Sequence, residues 1–356
     1  MARPKKVSMQ DIADQLGISK NAVSLALSGK SGVSEQVRLI VRHKAEEMGY
    51  VPPGAAAKPE ASSRNILLLV PERVVSHEDS EHFRFFHDML WILEETVRAH
   101  GCSAVIVRID RQMEERLELP SLYGELEHIG VILFGIIAKP YAHMVWETGV
   151  PLVMLDSYYR DMNCAAAVSA NTEGAESVVR LLIERGHRQI GFIGPANLTT
   201  SHEERWFGYW RAMREAGLPI DERMTLLEAD DFDEVKNEQQ IGAFLARLVA
   251  TDALPTAFFC GNDRIALLLI RRLRAIGISV PEQMKVAGFD GLEQACAPDS
   301  GLYVTIRADK KQMCRSAVRL LLDGYGEKRH AVRWTTAGQL IPVSNEAGID
   351  VRNFTF

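Results

Sequence analysis

Two hydrophobic periods divide this chain. Up to about residue 50, apolar residues recur at helical spacing in short blocks. In SMQDIADQLGISKNAVSLALS (8–28), Ile12, Ala13 and Leu16 form one stripe, and Ala22, Val23 and Ala26 form another. Ser8, with Asp11 three residues later, starts the first helix, and Gly17 ends it by taking a left-handed conformation cheaply. Ser19 caps the second helix. Ser34 caps a third, in which Val37, Ile40, Val41 and Ala45 are expected to close a three-helix core. Residues 51–64, VPPGAAAKPEASSR, carry no large apolar residue after Val51 and read as a linker.

From Asn65 the period changes. Ile66–Val70 is a continuous apolar run, as buried parallel strands are. Phe86, Leu90, Leu93 and Val97 then mark a helix face, which Gly101 ends. Ala104–Val107, Val131–Phe134 and Leu152–Leu155 are further strands. The alternation restarts with helix Glu173–Arg185, followed by strand Ile190–Ile193 and a helix around Arg205–Glu215. A strand near Met224–Leu227 and helix Gln239–Val249 come next. Strand Thr256–Cys260, helix Asp263–Ala275 and strand Lys285–Phe289 complete it. The expected fold class is α/β: a helical head followed by two doubly wound subdomains, with ligands held beyond the carboxyl ends of strands.

The 356 residues suffice for two or three domains, and 47% apolar with 25% charged is an ordinary globular composition. A net charge of −6 argues against a nucleic-acid binder until its distribution is considered. Residues 1–60 hold nine Lys and Arg against six Asp and Glu, so the acidity resides in the rest. A mildly basic head on an acidic body suits a DNA-binding head. The five cysteines form no CxxC pair and read as buried thiols of a reducing compartment. No apolar run approaches the ~18 residues that span a bilayer, and no apolar segment backs the basic N-terminus, so a cytoplasmic location is expected.

The helix pair at 8–28 has the geometry of a helix-turn-helix, in which the first turn of the second helix enters the major groove. Lys20, Asn21 and Ser24 occupy its exposed face. Asn pairs bidentately with adenine, and Lys donates to guanine. Ser8, Ser19 and Ser34 sit at helix N-termini suited to phosphate oxygens, and Lys5 and Lys6 form a basic arm. Leu25 offers apolar contact to a base or packs against the third helix. Catalytic patterns are broken where they begin. The GKS at 29–31 has Ser24 where a phosphate loop needs Gly, GFIGPA is not GxGxxG, His77-Glu78 precedes His82 at the wrong spacing for HExxH, and GxSxG does not occur. Neither a metal nor a cofactor is expected. An α/β enzyme and a solute-binding protein are the competing readings of the core.

The chain resembles the lactose-repressor (LacI/GalR) family of bacterial regulators along its length. The head matches in SMQDIADQLGISKNAVSLALSG and GVSEQVR. The body matches in NTEGAESVVRLLIERGHRQIGFIGP, RWFGYWRAMREAGL, PTAFFCGNDRIALLLIRRLRAIGISVPEQMKVAGFDG and YVTIRADKKQM. The resemblance implies a homodimer reading a near-palindromic operator. It also implies a core like type I periplasmic binding proteins, with a small effector, a sugar or sugar derivative, in its cleft. A protein corepressor, as in one branch of the family, is not indicated. Implied domains are a head at 1–51 and a hinge at 52–64. The first core half is 65–164 with 292–323, and the second is 165–291 with 324–356. Three crossovers are implied, near Cys164–Val168, near Asp290–Leu292 and after helix Asp309–Leu322. Carried over, the effector contacts fall on Arg205, Ser201, Asn262, Asp290 and Asp156, with Phe232 or Trp206 stacking on a sugar face. The chain departs from the family at Leu25, where Arg is usual. It departs again at the hinge, where Pro59 stands near the usual minor-groove Leu and no Leu occurs between Leu39 and Leu67. Less bending of the operator is therefore expected.

Overall fold

The computed structural model describes residues 8–28, 32–34, 37–38, 40–41, 44–45, 48, 64–75, 81–229, 233–326 and 332–344. The chain divides between Ser63 and Arg64 into two compact units. In the first, helix Met9–Leu16 begins with the anticipated reciprocal cap. Ser8 N–H donates to Asp11 Oδ2 at 2.7 Å, and Asp11 N–H donates back to Ser8 Oγ at 3.3 Å. Gly17, at φ +64°, closes the helix. Ser19 Oγ accepts from Ala22 N–H at 3.1 Å to start helix Lys20–Ser28, and Ser34 Oγ accepts from Val37 N–H at 3.3 Å. Ile12, Ala13, Val23, Ala26, Val41 and Ala45 make the core. Ile40, expected inside, is 52% exposed. The inward stripe of the third helical stretch runs through 37, 41 and 45, and residue 40 lies off it.

The second unit contains two six-stranded sheets. The first joins β1 (Asn65–Pro71), β2 (Ser103–Ile109), β3 (Gly130–Phe134), β4 (Leu152–Leu155), β5 (Ala165–Ser169) and β11 (Arg333–Thr336). Its order is β11-β5-β4-β3-β1-β2, all parallel. The second joins β6 (Ile190–Ile193), β7 (Thr225–Leu226), β8 (Ala257–Cys260), β9 (Lys285–Ala287), β10 (Val304–Arg307) and β12 (Gln339–Pro342). Its order is β12-β10-β9-β8-β6-β7, with β12 antiparallel at the edge. β1 is buried at every position, as its unbroken apolar run requires.

All three expected crossovers shift toward the C-terminus. β5 pairs Ala165 with Val153 in the first sheet, so the chain crosses after Ser169 rather than at 164–168. Its alanines leave room for helix Lys310–Leu322, which packs on β4 and β5. β10 pairs with β9 and β12, so the second crossing lies between Arg307 and Lys310, not at 290–292. β11 lies in the first sheet and β12 in the second, so the third crossing falls between Thr336 and Gln339 rather than directly after the helix. Residues 165–169 and 333–336 thus belong with the first half, and 304–307 with the second. Residues 52–63 of the expected hinge, Pro59 among them, lie outside the described residues.

Candidate functional site

Helix Thr200–Glu215 carries Ser201, Arg205 and Trp206, three of the residues expected at the effector site. Thr199 caps it by accepting from His202 N–H at 3.3 Å. One turn in, Arg205 is 6% exposed and its guanidinium is held on three sides. Nε donates to Asn171 Oδ1 at 3.0 Å, Nη1 to the Gly261 carbonyl at 2.8 Å, and Nη2 lies 2.9 Å from Asp290 Oδ1. The Phe289 ring stacks 3.9 Å from its Cζ. Three of five N–H groups are used, which leaves a fork able to donate further.

Asp290 adopts φ +109° and Asp156 φ +76°, a region side-chain-bearing residues seldom occupy. Each follows a strand end and is pinned through its N–H, Asp290 to the Ile306 carbonyl and Asp156 to that of Ala167. Ser201 Oγ donates to the Asp156 carbonyl at 2.7 Å, so it joins the two halves through backbone. Asn262 caps helix Asp263–Ala275, with Oδ1 accepting from Ile265 N–H at 2.9 Å. Arg205, Asp290, Ser201, Asp156 and Asn262 therefore gather around one place. Phe232 lies outside the described residues. Trp206 is no free stacking face: it stacks on Tyr209 and meets Phe192 edge-on as part of the second-half core.

Several participants were not anticipated. Asn171 aims Arg205. Asp263, fully buried, accepts from Thr305 Oγ1 at 2.7 Å and from Leu292 N–H at 2.8 Å, and so props the loop that carries Asp290. Burial, and then the neighbouring Asp290 carboxylate, push the Asp263 carboxyl up, against the pull of Thr305 and the Leu292 and Gly291 N–H groups. The loop after β4 clasps the same helix start. Tyr158 OH donates to Glu204, Thr200 Oγ1 donates to the Tyr158 carbonyl, and Arg160 pairs with Glu203. Arg333 lies 3.6 Å over the Tyr158 ring. Burial, followed by Glu204, pushes the Tyr158 hydroxyl up to about 12. The GND motif marks Asp263 only as a helix start, and no local signal marks Tyr158 or Glu204.

In the head, Lys20 and Asn21 are exposed on the first turn of the second helix, while Ser24 and Leu25 are half-buried. Leu25 Cδ1 lies 3.1 Å from the point a Cβ on Gly32 would occupy, so this side chain packs against the following turn. Ser8, Ser19 and Ser34 all serve as caps. Lys5 and Lys6 lie outside the described residues. Among the described residues no cluster of His, Cys, Asp and Glu could hold a metal, and no helix is long and apolar enough to cross a membrane.

A capped helix-turn-helix head followed by a two-lobed α/β core defines the class of DNA-binding regulators with a periplasmic-binding-protein-like core. Residues 8–53 match the model of the bacterial regulatory proteins, lacI family, and residues 179–342 match that of the periplasmic binding protein-like domain. The chain thus carries a lacI-family helix-turn-helix domain followed by a periplasmic-binding-protein-like domain, the make-up of the DNA-binding transcriptional repressors it resembles. It is 28% identical over 321 residues to the HTH-type transcriptional repressor CytR of Escherichia coli (strain K12), covering 89% of each chain. It is 25% identical over 327 residues to the repressor PurR of Pasteurella multocida (strain Pm70), covering 90% and 92%. Among solved structures it resembles the transcriptional regulator CelR–cellobiose complex at TM-score 0.65 and 25% identity, covering 95% of this chain and 98% of that one. The lac repressor dimer bound to operator and the anti-inducer ONPF matches in fold at TM-score 0.63 and 20% identity, with the same coverage.

Proposed function

We propose that a small effector, a sugar or sugar derivative, binds between the two core halves and sets the operator affinity of a homodimer. The observation that carries this reading is Arg205. It is buried and bonded to residues from three segments of the second half, on the helix whose first turn also holds the first half through Ser201 and Asp156. A ligand bonded there meets both halves, so its binding energy depends on their spacing, as linkage between effector and operator requires. Arg205, Asp290, Asp156, Ser201 and Asn262 supply guanidinium, carboxylates, hydroxyl and amide, the groups that recognise hydroxyl-rich molecules. The resemblance to a regulator solved with cellobiose supports the ligand class.

In the head, Lys20, Asn21 and Ser24 read bases, with Leu25 contributing mainly to packing. Ser8, Ser19 and Ser34 face phosphates, and Lys5 and Lys6 add charge. A regulator working on DNA in this way acts in the cytoplasm. A thermal-shift series with sugars and sugar derivatives tests the reading. An active ligand raises the melting temperature of the native chain and leaves that of Arg205→Ala unchanged. Equal shifts in both chains remove Arg205 from the site.

A further inference from the structure

A cavity of about 460 Å³ opens between the two halves, and neither Arg205 nor Asp156 nor Asn262 lines it. Its size fits a small metabolite, since ligand pockets run from roughly 300 Å³ upward. From the first half come Arg84, Phe85 and Asp88, on helix Glu81–Ala99, and Lys310, which begins helix Lys310–Leu322. From the second half come Glu293 and Arg307, the latter at the end of β10. Their charges are not all answered. Lys310 Nζ sits 3.3 Å from Asp88 Oδ2 and 4.5 Å from the centre of the Phe85 ring, so that ammonium is satisfied. Among the described residues the Arg307 guanidinium reaches the Cys296 thiol, at 3.8 Å, a weak acceptor. Among the described residues neither Arg84 nor Arg307 forms an ion pair, and neither does Glu293.

Two guanidiniums from opposite halves thus face one cavity without an ion-pair partner among the described residues, in a body that is acidic as a whole. Guanidinium forks match phosphate and carboxylate oxygens, while Glu293 can accept only from hydroxyl or other N–H and O–H donors. We propose that the cavity takes a small polyol bearing one anionic group, a phosphate monoester or carboxylate, which Arg84 and Arg307 grip from the two sides. This rests on the effector reading above: Gly291 lines the cavity and Arg307 pairs along the backbone with Asp290, so the cavity lies beside the Arg205–Asp290 pair and the anionic group held here belongs to the same ligand.

The test is calorimetric titration of the full chain with glucose 6-phosphate, ribose 5-phosphate, gluconate, glucose, cellobiose and inorganic phosphate. At least one sugar phosphate or sugar acid is expected to bind tenfold or more tighter than glucose, roughly the value of one charge-assisted hydrogen bond. Arg84→Ala and Arg307→Ala, both at accessible positions, should each weaken it by about tenfold or more, and Arg84→Lys should restore part of the loss. Absence of binding by all three anionic sugars overturns the proposal. So does glucose or cellobiose binding equally well with no effect of either substitution. Inorganic phosphate binding as tightly as the sugar phosphates overturns it too, since the polyol then contributes nothing. The effector reading itself fails separately, when a bound ligand leaves operator affinity unchanged.

Discussion

Arg205 shows how one buried charge is made tolerable: three of its N–H groups meet oxygens and its face meets a ring. Arg205→Ala leaves Asp290 facing the vacated space, and the loss of stability is expected to be on the order of 3 kcal/mol by chemical denaturation. Arg205→Lys should not rescue it, because one ammonium cannot reach three acceptors in separate directions. Asp263 gives a pH signature. Its folded-state pKa is raised above the ordinary 3.8, so the folded protein holds this proton more tightly than the unfolded chain. That contribution is whole below the ordinary value and is lost as pH rises toward the folded one. The stability of the native chain relative to Asp263→Asn is therefore expected to fall as pH is raised from 4, and a difference constant with pH contradicts this. The thiols follow burial: Cys102, Cys164, Cys260 and Cys314 are buried, and burial pushes Cys164 up to about 12. A thiol reagent at pH 8 should modify these four only after unfolding, leaving half-buried Cys296 the first to react. Arg205, Ser201 and Asp290 were legible because they sit in extended motifs. Asn171 and Asp263 were not, because their partners lie 29 to 42 positions away and no local pattern encodes such a pairing.

At the scale of elements, strands and helices were readable from period and caps, but their allegiance was not. The Ala-Ala-Ala-Val-Ser run of β5 is as apolar as any strand. Only its pairing with β4 and β11 assigns it to the first sheet. The same holds for β10, which the boundaries implied by the resemblance put with the first half. Helix-on-helix contact has a sharper signature in Gly208, where a Cβ would stand 2.3 Å from the Thr172 carbonyl and 2.7 Å from Ala175 Cβ. Gly208→Ala must force helices Asn171–Glu184 and Thr200–Glu215 apart and should cost about 1–3 kcal/mol, read as a lower denaturation midpoint. In the head, Ser19→Ala removes the cap of the second helix at a cost of about 1 kcal/mol. Asn21→Ala, at an exposed position, should leave stability intact. It should weaken binding to a selected DNA site by about 1–3 kcal/mol without changing the salt slope.

On the proposed reading, the whole molecule is a sensor joined to a reader. The acidic core and basic head were visible in the charge distribution, and the βα alternation announced two lobes. The clasp of Tyr158, Thr200 and Ser201 across the halves came only from the three-dimensional arrangement. Such polar ties are broken and remade at modest cost when lobes move, which suits a device that must occupy two states. The central claim is that occupancy of the cleft controls the head. The most direct measurement is the affinity of the full chain for a DNA site selected from a random pool, taken with and without a ligand found by thermal shift, for the native protein and for Arg205→Ala. The expected result is a near-palindromic site, an affinity change of about fivefold or more in the native chain, and none in the variant. An affinity that ignores the ligand, or changes equally in both proteins, would contradict the account.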